Sequence, residues 1–84
     1  MSKVSRSDRK KFEDLLKIAQ HGDSKAQFIL GLQYDAGHRT QQNYSEAFYW
    51  FKSAAEHGHP NAHHAVGFSY YNGLGVPLDY KKAL

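Results

Sequence analysis

Residues 26–37 read AQFILGLQYDAG and residues 62–73 read AHHAVGFSYYNG. Slid 36 positions onto one another, the two stretches coincide at Ala26/Ala62, Gly31/Gly67, Tyr34/Tyr70 and Gly37/Gly73. In each, small or apolar residues recur at helical spacing: Ala26, Ile29, Leu30 and Tyr34 in one, Ala62, Val66, Gly67 and Tyr70 in the other. A glycine suited to a left-handed C-cap closes both. The same register extends outward through Phe12/Phe48, Ala19/Ala55, His21/His57, Gly22/Gly58, Tyr44/Tyr80 and Ala47/Ala83, making ten identities. The offset never slips, so no insertion separates the copies. Self-similarity at such a period marks stacked structural repeats.

Each unit reads as two helices. The first is predicted over 24–36 and again over 60–72, the second over 44–57. An earlier copy of the second helix, carrying Phe12, Leu15, Leu16 and Ala19, is predicted over 9–21. A third copy begins at Asp79 and Tyr80 and runs to Leu84. Ser24 with Gln27 has the form of a capping box, and Asn43 precedes Glu46 by three. His59 falls at an N-cap before Pro60, which is tolerated at a first helical position. Glycine inside a helix costs about 1 kcal/mol relative to alanine. Gly31 and Gly67 at one phase therefore point to close helix approach, with Tyr34 and Tyr70 filling the wider gap beyond. Asp14 stands where the next copy has Trp50, which reads as a capping helix facing water. The expected organisation is a basic tail over 1–8 and a repeat array over 9–84. The array divides into a capping helix (9–21), a first repeat (24–58) and an incomplete second repeat (60–84).

The segments G73-L-G75-V76-P-L-D79 and W50-F-K-S-A54-A55-E-H-G58 make the chain resemble the Sel1-like repeat family, relatives of the tetratricopeptide repeat. The resemblance covers about residues 12–84. It departs at Gly37-His38-Arg39-Thr40, where the second glycine and the valine are missing and a looser turn is expected. It implies an all-α fold, an α-α superhelix or solenoid of antiparallel helix hairpins with about four helices and a truncated fifth. It also implies a protein-interaction scaffold or adaptor that binds a peptide or helix on its concave face.

At 84 residues one small domain is the limit. With no cysteine, disulfides, thiolate zinc sites and a cysteine nucleophile are excluded. No stretch reaches the length of a membrane span. The charged start MSKVSRSDRKK precedes no apolar run, so it is not a secretory signal, and a cytoplasmic location is expected. The net charge of +3 is concentrated at Lys3, Arg6, Arg9, Lys10 and Lys11. That arm contains no aromatic to stack on bases, which ranks nucleic-acid contact below protein binding.

His59 and His63 lie four apart with His57 and His64 near. No cysteine or carboxylate joins them at ligand spacing, so no metal and no cofactor are expected. No nucleophile elbow appears, and Gly73-Leu74-Gly75 lacks the lysine and the preceding strand of a phosphate loop. No catalytic residue is assigned and no enzymatic activity is expected. The candidate partner-binding residues are the non-core positions of the first helices: Ile29, Leu32 and Gln33, then Ala65, Phe68 and Ser69. Ile29, Leu32 and Phe68 are apolar where the repeat does not demand it, as a docking groove would need. Packing against neighbouring first helices is the equal alternative. A homo-oligomer joined through the open C-terminal end is the competing expectation for partners.

Overall fold

The architecture follows from how each helix is started, stopped and spaced. The computed structural model describes residues 4–84. Five helices follow in order: α1 (Arg6–Gln20), α2 (Ser24–Ala36), α3 (Tyr44–Glu56), α4 (Pro60–Asn72) and the single turn α5 (Tyr80–Ala83). No strand occurs among the described residues. Each helix packs on the one before and the one after it in sequence, giving a slab of 42 × 29 × 14 Å.

Helix α1 begins three residues before the predicted start. Ser5 Oγ accepts a hydrogen bond from the Asp8 amide at 3.0 Å, and Asp8 in the first turn suits the positive end of the helix dipole. Arg6 and Ser7 are thus helical and not part of a tail, while Lys3 lies outside the described residues. Helix α2 is capped by Asp23, whose carboxylate accepts from the Ala26 amide at 2.8 Å. Ser24 is the first residue inside the helix, so the Ser24–Gln27 capping box does not form. The Asn43 and His59 caps form as their positions predict, accepting from the amides of Glu46 and Ala62 at 3.0 and 3.3 Å. His21 and His57 close α1 and α3. Each donates from Nδ1 to the carbonyl four residues back, Lys17 at 2.6 Å and Ser53 at 2.8 Å.

The two units superimpose in detail. Gly37 and Gly73 adopt φ of 70° and 64°, and their loops are fixed by Asn43 N–H to Tyr34 O and Asp79 N–H to Tyr70 O, both 2.9 Å. Phe12 meets Tyr34 edge-on at 5.5 Å, as Phe48 meets Tyr70 at 5.3 Å. The interior glycines also correspond. A Cβ on Gly31 would stand 3.3 Å from the Ala47 carbonyl oxygen, and one on Gly67 2.8 Å from that of Ala83, which is 36 residues further on. At Gly31 the Phe51 ring fills the remaining space, 2.6 Å from where a Cβ would sit.

Two clusters form the core. Ala19, Ala26, Leu30 and Trp50 pack with Phe12, Leu15, Leu16 and Tyr34 where α1, α2 and α3 meet. Ala54, Ala55 and Ala62 pack with Phe28 and Val66 between α3 and α4. Alanine at the crossings lets helix axes approach, and aromatics close the wider ends. Asp14 is exposed and pairs with Lys10 at 3.1 Å, so the capping helix does turn that face to water.

The altered first loop is not looser. Arg39 takes φ of 64°, the conformation Gly75 takes at 77° in the second loop, and its guanidinium Nε stands 3.3 Å from Asp8. A left-handed non-glycine residue costs roughly 1–2 kcal/mol. The contact to α1 and the shared loop hydrogen bond hold it there.

Candidate functional site

A groove of about 490 Å³ runs between α2 and α4. Leu32 and Asp35 form its α2 wall, and Asn61, His64, Ala65 and Phe68 its α4 wall. Tyr44 and Phe51 of α3, Ser69 of α4 and Leu74 of the following loop complete the lining. Phe51 is only 4% exposed, because its ring is held beneath Gly31 and against Phe28 at 5.7 Å. The upper walls are open: Leu32 is 44% and Phe68 60% exposed. They occupy the same phase of the two copies, so the repeat itself brings them to one surface.

Four of the six candidate residues line this groove: Leu32, Ala65, Phe68 and Ser69. Ile29 is exposed but lies outside the lining. Gln33 and Ser69 are not open positions, being 6% and 5% exposed. Each lies one residue before the tyrosine that packs into the aromatic pair, on the inward side of its helix. Ser69 Oγ donates to the Ala65 carbonyl at 2.9 Å, and Gln33 Oε1 is buried without a hydrogen-bond partner among the described residues. Both belong to the packed interior.

The groove includes residues that sequence reasoning did not assign. Asn61 and His64 precede Ala65 and Phe68 by four positions each, and Asp35 follows Leu32 by three. Extending the i, i+3, i+4, i+7 pattern by one turn in each direction would have found them. Tyr44 and Phe51 come from the other helix of the hairpin and carry no local signal.

A second groove, about 620 Å³, lies over α4 and α5 and is lined by Gly67, Phe68, Tyr71, Tyr80, Ala83 and Leu84 with Pro60, His63 and His64. Among the described residues no three potential metal ligands come together, and no helix is long and apolar enough to cross a membrane. His59, which the sequence spacing pairs with His63, instead stacks on Phe28 at 4.6 Å while capping α4. Among titratable groups Tyr34 is displaced. Burial, and secondarily the charge of Glu46, pushes its phenol above the ordinary tyrosine value. It serves the aromatic pair of the core and not the groove.

Helix hairpins repeated in fixed register, with an apolar furrow between successive first helices, define a helical-repeat protein of the α-solenoid class. The chain belongs to the Sel1 repeat family, whose model matches residues 24–59 and 60–84. It is similar to a crystal structure of a Sel1 repeat protein from Oxalobacter formigenes (37% identity, TM-score 0.85, covering 89% of this chain and 31% of that one). It is also similar to c5321, a protective antigen of uropathogenic Escherichia coli displaying an SLR fold (42% identity, TM-score 0.81, covering 86% and 15%). Among curated proteins it resembles the chitin synthase regulator SKT5 of Saccharomyces cerevisiae, 33% identical over 70 residues, which are 83% of this chain and 10% of that protein. The chain thus spans a third or less of each relative. Sel1 repeats are generally protein-interaction modules, and proteins built from them are generally non-enzymatic scaffolds.

Proposed function

We propose that the chain is a scaffold or adaptor module that binds a peptide or helix of another protein in the α2–α4 groove. The observation that carries this reading is the pair Leu32 and Phe68, equivalent by repeat, apolar, and open to solvent along one furrow. Exposure of two large apolar side chains at one phase has no role in holding the hairpins together, since the core clusters lie elsewhere. Phe51 and Ala65 extend the apolar surface, which suits the apolar anchors of an extended or helical segment.

The test is to replace Leu32 and Phe68 by alanine, singly and together, and to measure binding of peptides selected on the intact chain. Binding falls while the helical circular dichroism signal stays. Loss of the helical signal would show that both side chains are core and end the reading.

The second groove favours a further reading, self-association through the α4–α5 face, because Phe68, Tyr71 and Tyr80 are exposed there together. Light scattering across concentrations tests it. A dimer weakened by Tyr71→Ala supports it, and a monomer throughout excludes it.

A further inference from the structure

We infer that the segment received by the α2–α4 groove carries a lysine or arginine beside its apolar anchors, and that Asp35 is the group that meets this cation. The inference rests on the peptide-groove reading above and names the chemistry of its partner. Among the described residues Asp35 is the one carboxylate in the lining, and no lysine or arginine lines the groove. The ion pairs among the described residues are Lys10–Asp14 and Arg39–Asp8, and neither involves Asp35. The residue is part-buried at the rim.

Its place on the helix sharpens the point. Asp35 is the penultimate residue of α2, and the last turn of α2 contains no basic residue. A carboxylate there faces the negative end of the helix dipole, which disfavours it. The repeat does not require an acid at this phase either, because the equivalent position in the second copy is Tyr71. The chain as a whole carries a net charge of +3, so the groove rim is a negative spot on a basic protein. A cation seated between the carboxylate and the end of α2 offsets that unfavourable placement, whereas an acidic segment meets like charge.

The experiment uses the intact chain and a random peptide display library, followed by synthesis of the best binder in three forms that differ at one site: Lys, Gln or Glu. Lysine or arginine is enriched next to the apolar anchors. The Lys form binds about fivefold more tightly than the Gln form, and the advantage shrinks with added salt. Asp35→Asn removes that advantage and leaves the Gln form unchanged. The substitution relieves the clash with the helix dipole, so the fold persists, and circular dichroism verifies this. If binding depends on Leu32 and Phe68 but the Lys and Glu forms bind alike, or if Asp35→Asn keeps the Lys preference, the charge inference is overturned and the groove stands. If no selected peptide depends on Leu32 and Phe68, the groove reading fails and this inference with it.

Discussion

Replacing Gly31 by alanine sets two effects of opposite sign against each other. Alanine in a helix interior is favoured over glycine by about 1 kcal/mol, so an exposed site would gain that much. At Gly31 the new Cβ would stand 2.6 Å from Cδ1 and Cε1 of Phe51 and 3.3 Å from the Ala47 carbonyl oxygen. The ring is 4% exposed and packs on Phe28, so shifting it toward the groove it lines gives up those contacts. Forcing it aside costs about 1–3 kcal/mol, as overpacking does elsewhere. The net expectation is a loss of roughly 1 kcal/mol, or about 4–8 °C in Tm for a domain of this size. Urea unfolding followed by far-ultraviolet circular dichroism reads it directly. Phe51→Leu should convert the Gly31→Ala loss into neutrality or gain, a coupling of about 1–2 kcal/mol in a double-mutant cycle. If Gly31→Ala alone stabilises the chain by the full propensity gain, α2 and α3 are not in close contact there and the reasoning is wrong.

Other substitutions separate the remaining contacts. Gln27 is buried and donates to the Ala19 carbonyl at 3.0 Å, while its Oε1 lies 3.2 Å from His57 Nδ1, joining the ends of α1 and α3 through α2. Gln27→Leu should cost about 1–3 kcal/mol by urea unfolding, because the His57 and Ala19 groups lose a partner; an unchanged midpoint would show the bridge to be idle. Arg39→Gly relieves a left-handed backbone and gives up a part-exposed ion pair worth at most about 1 kcal/mol, so it should leave stability level or raise it by up to about 1 kcal/mol. A clear loss would mean that the contact to Asp8 outweighs the backbone strain. The Tyr34 phenol is raised in the folded state, so the folded chain holds its proton more tightly than the unfolded chain. Its contribution is complete below the ordinary tyrosine value and is lost as pH rises from there through the raised folded value. Tyr34→Phe should flatten the alkaline limb of a stability–pH curve, and an unaltered limb would refute the assignment.

Much of the fold was legible because the repeat made each element readable twice. Gly37 and Gly73 mark the helix ends, and Gly31 and Gly67 mark close helix approach, at the same phase of both copies. What escaped the sequence were choices made between neighbouring residues. Asp23 and Ser24 are both good N-caps, and the structure uses the carboxylate, which frees Gln27 to turn inward and bridge two other helices. Ser5 caps α1 three residues early because Asp8 follows in the first turn, a signal hidden within the run of basic residues. Gln33 and Ser69 look polar and free, but residue type does not report which side of a helix faces its neighbour. The groove was half legible. Leu32 and Phe68 declared themselves by phase, whereas Tyr44, Phe51 and Leu74 reach it through tertiary packing that no spacing encodes.

The central claim is that a partner segment lies between α2 and α4 over Phe51. Backbone amide chemical shifts measured by NMR, with and without a selected peptide, test it most directly. The account predicts that the largest changes fall on Leu32 to Asp35, Phe51 and Asn61 to Phe68, with α1 silent. Changes centred on α1, or on the outer faces of α3 at Tyr49 and Lys52, would contradict it.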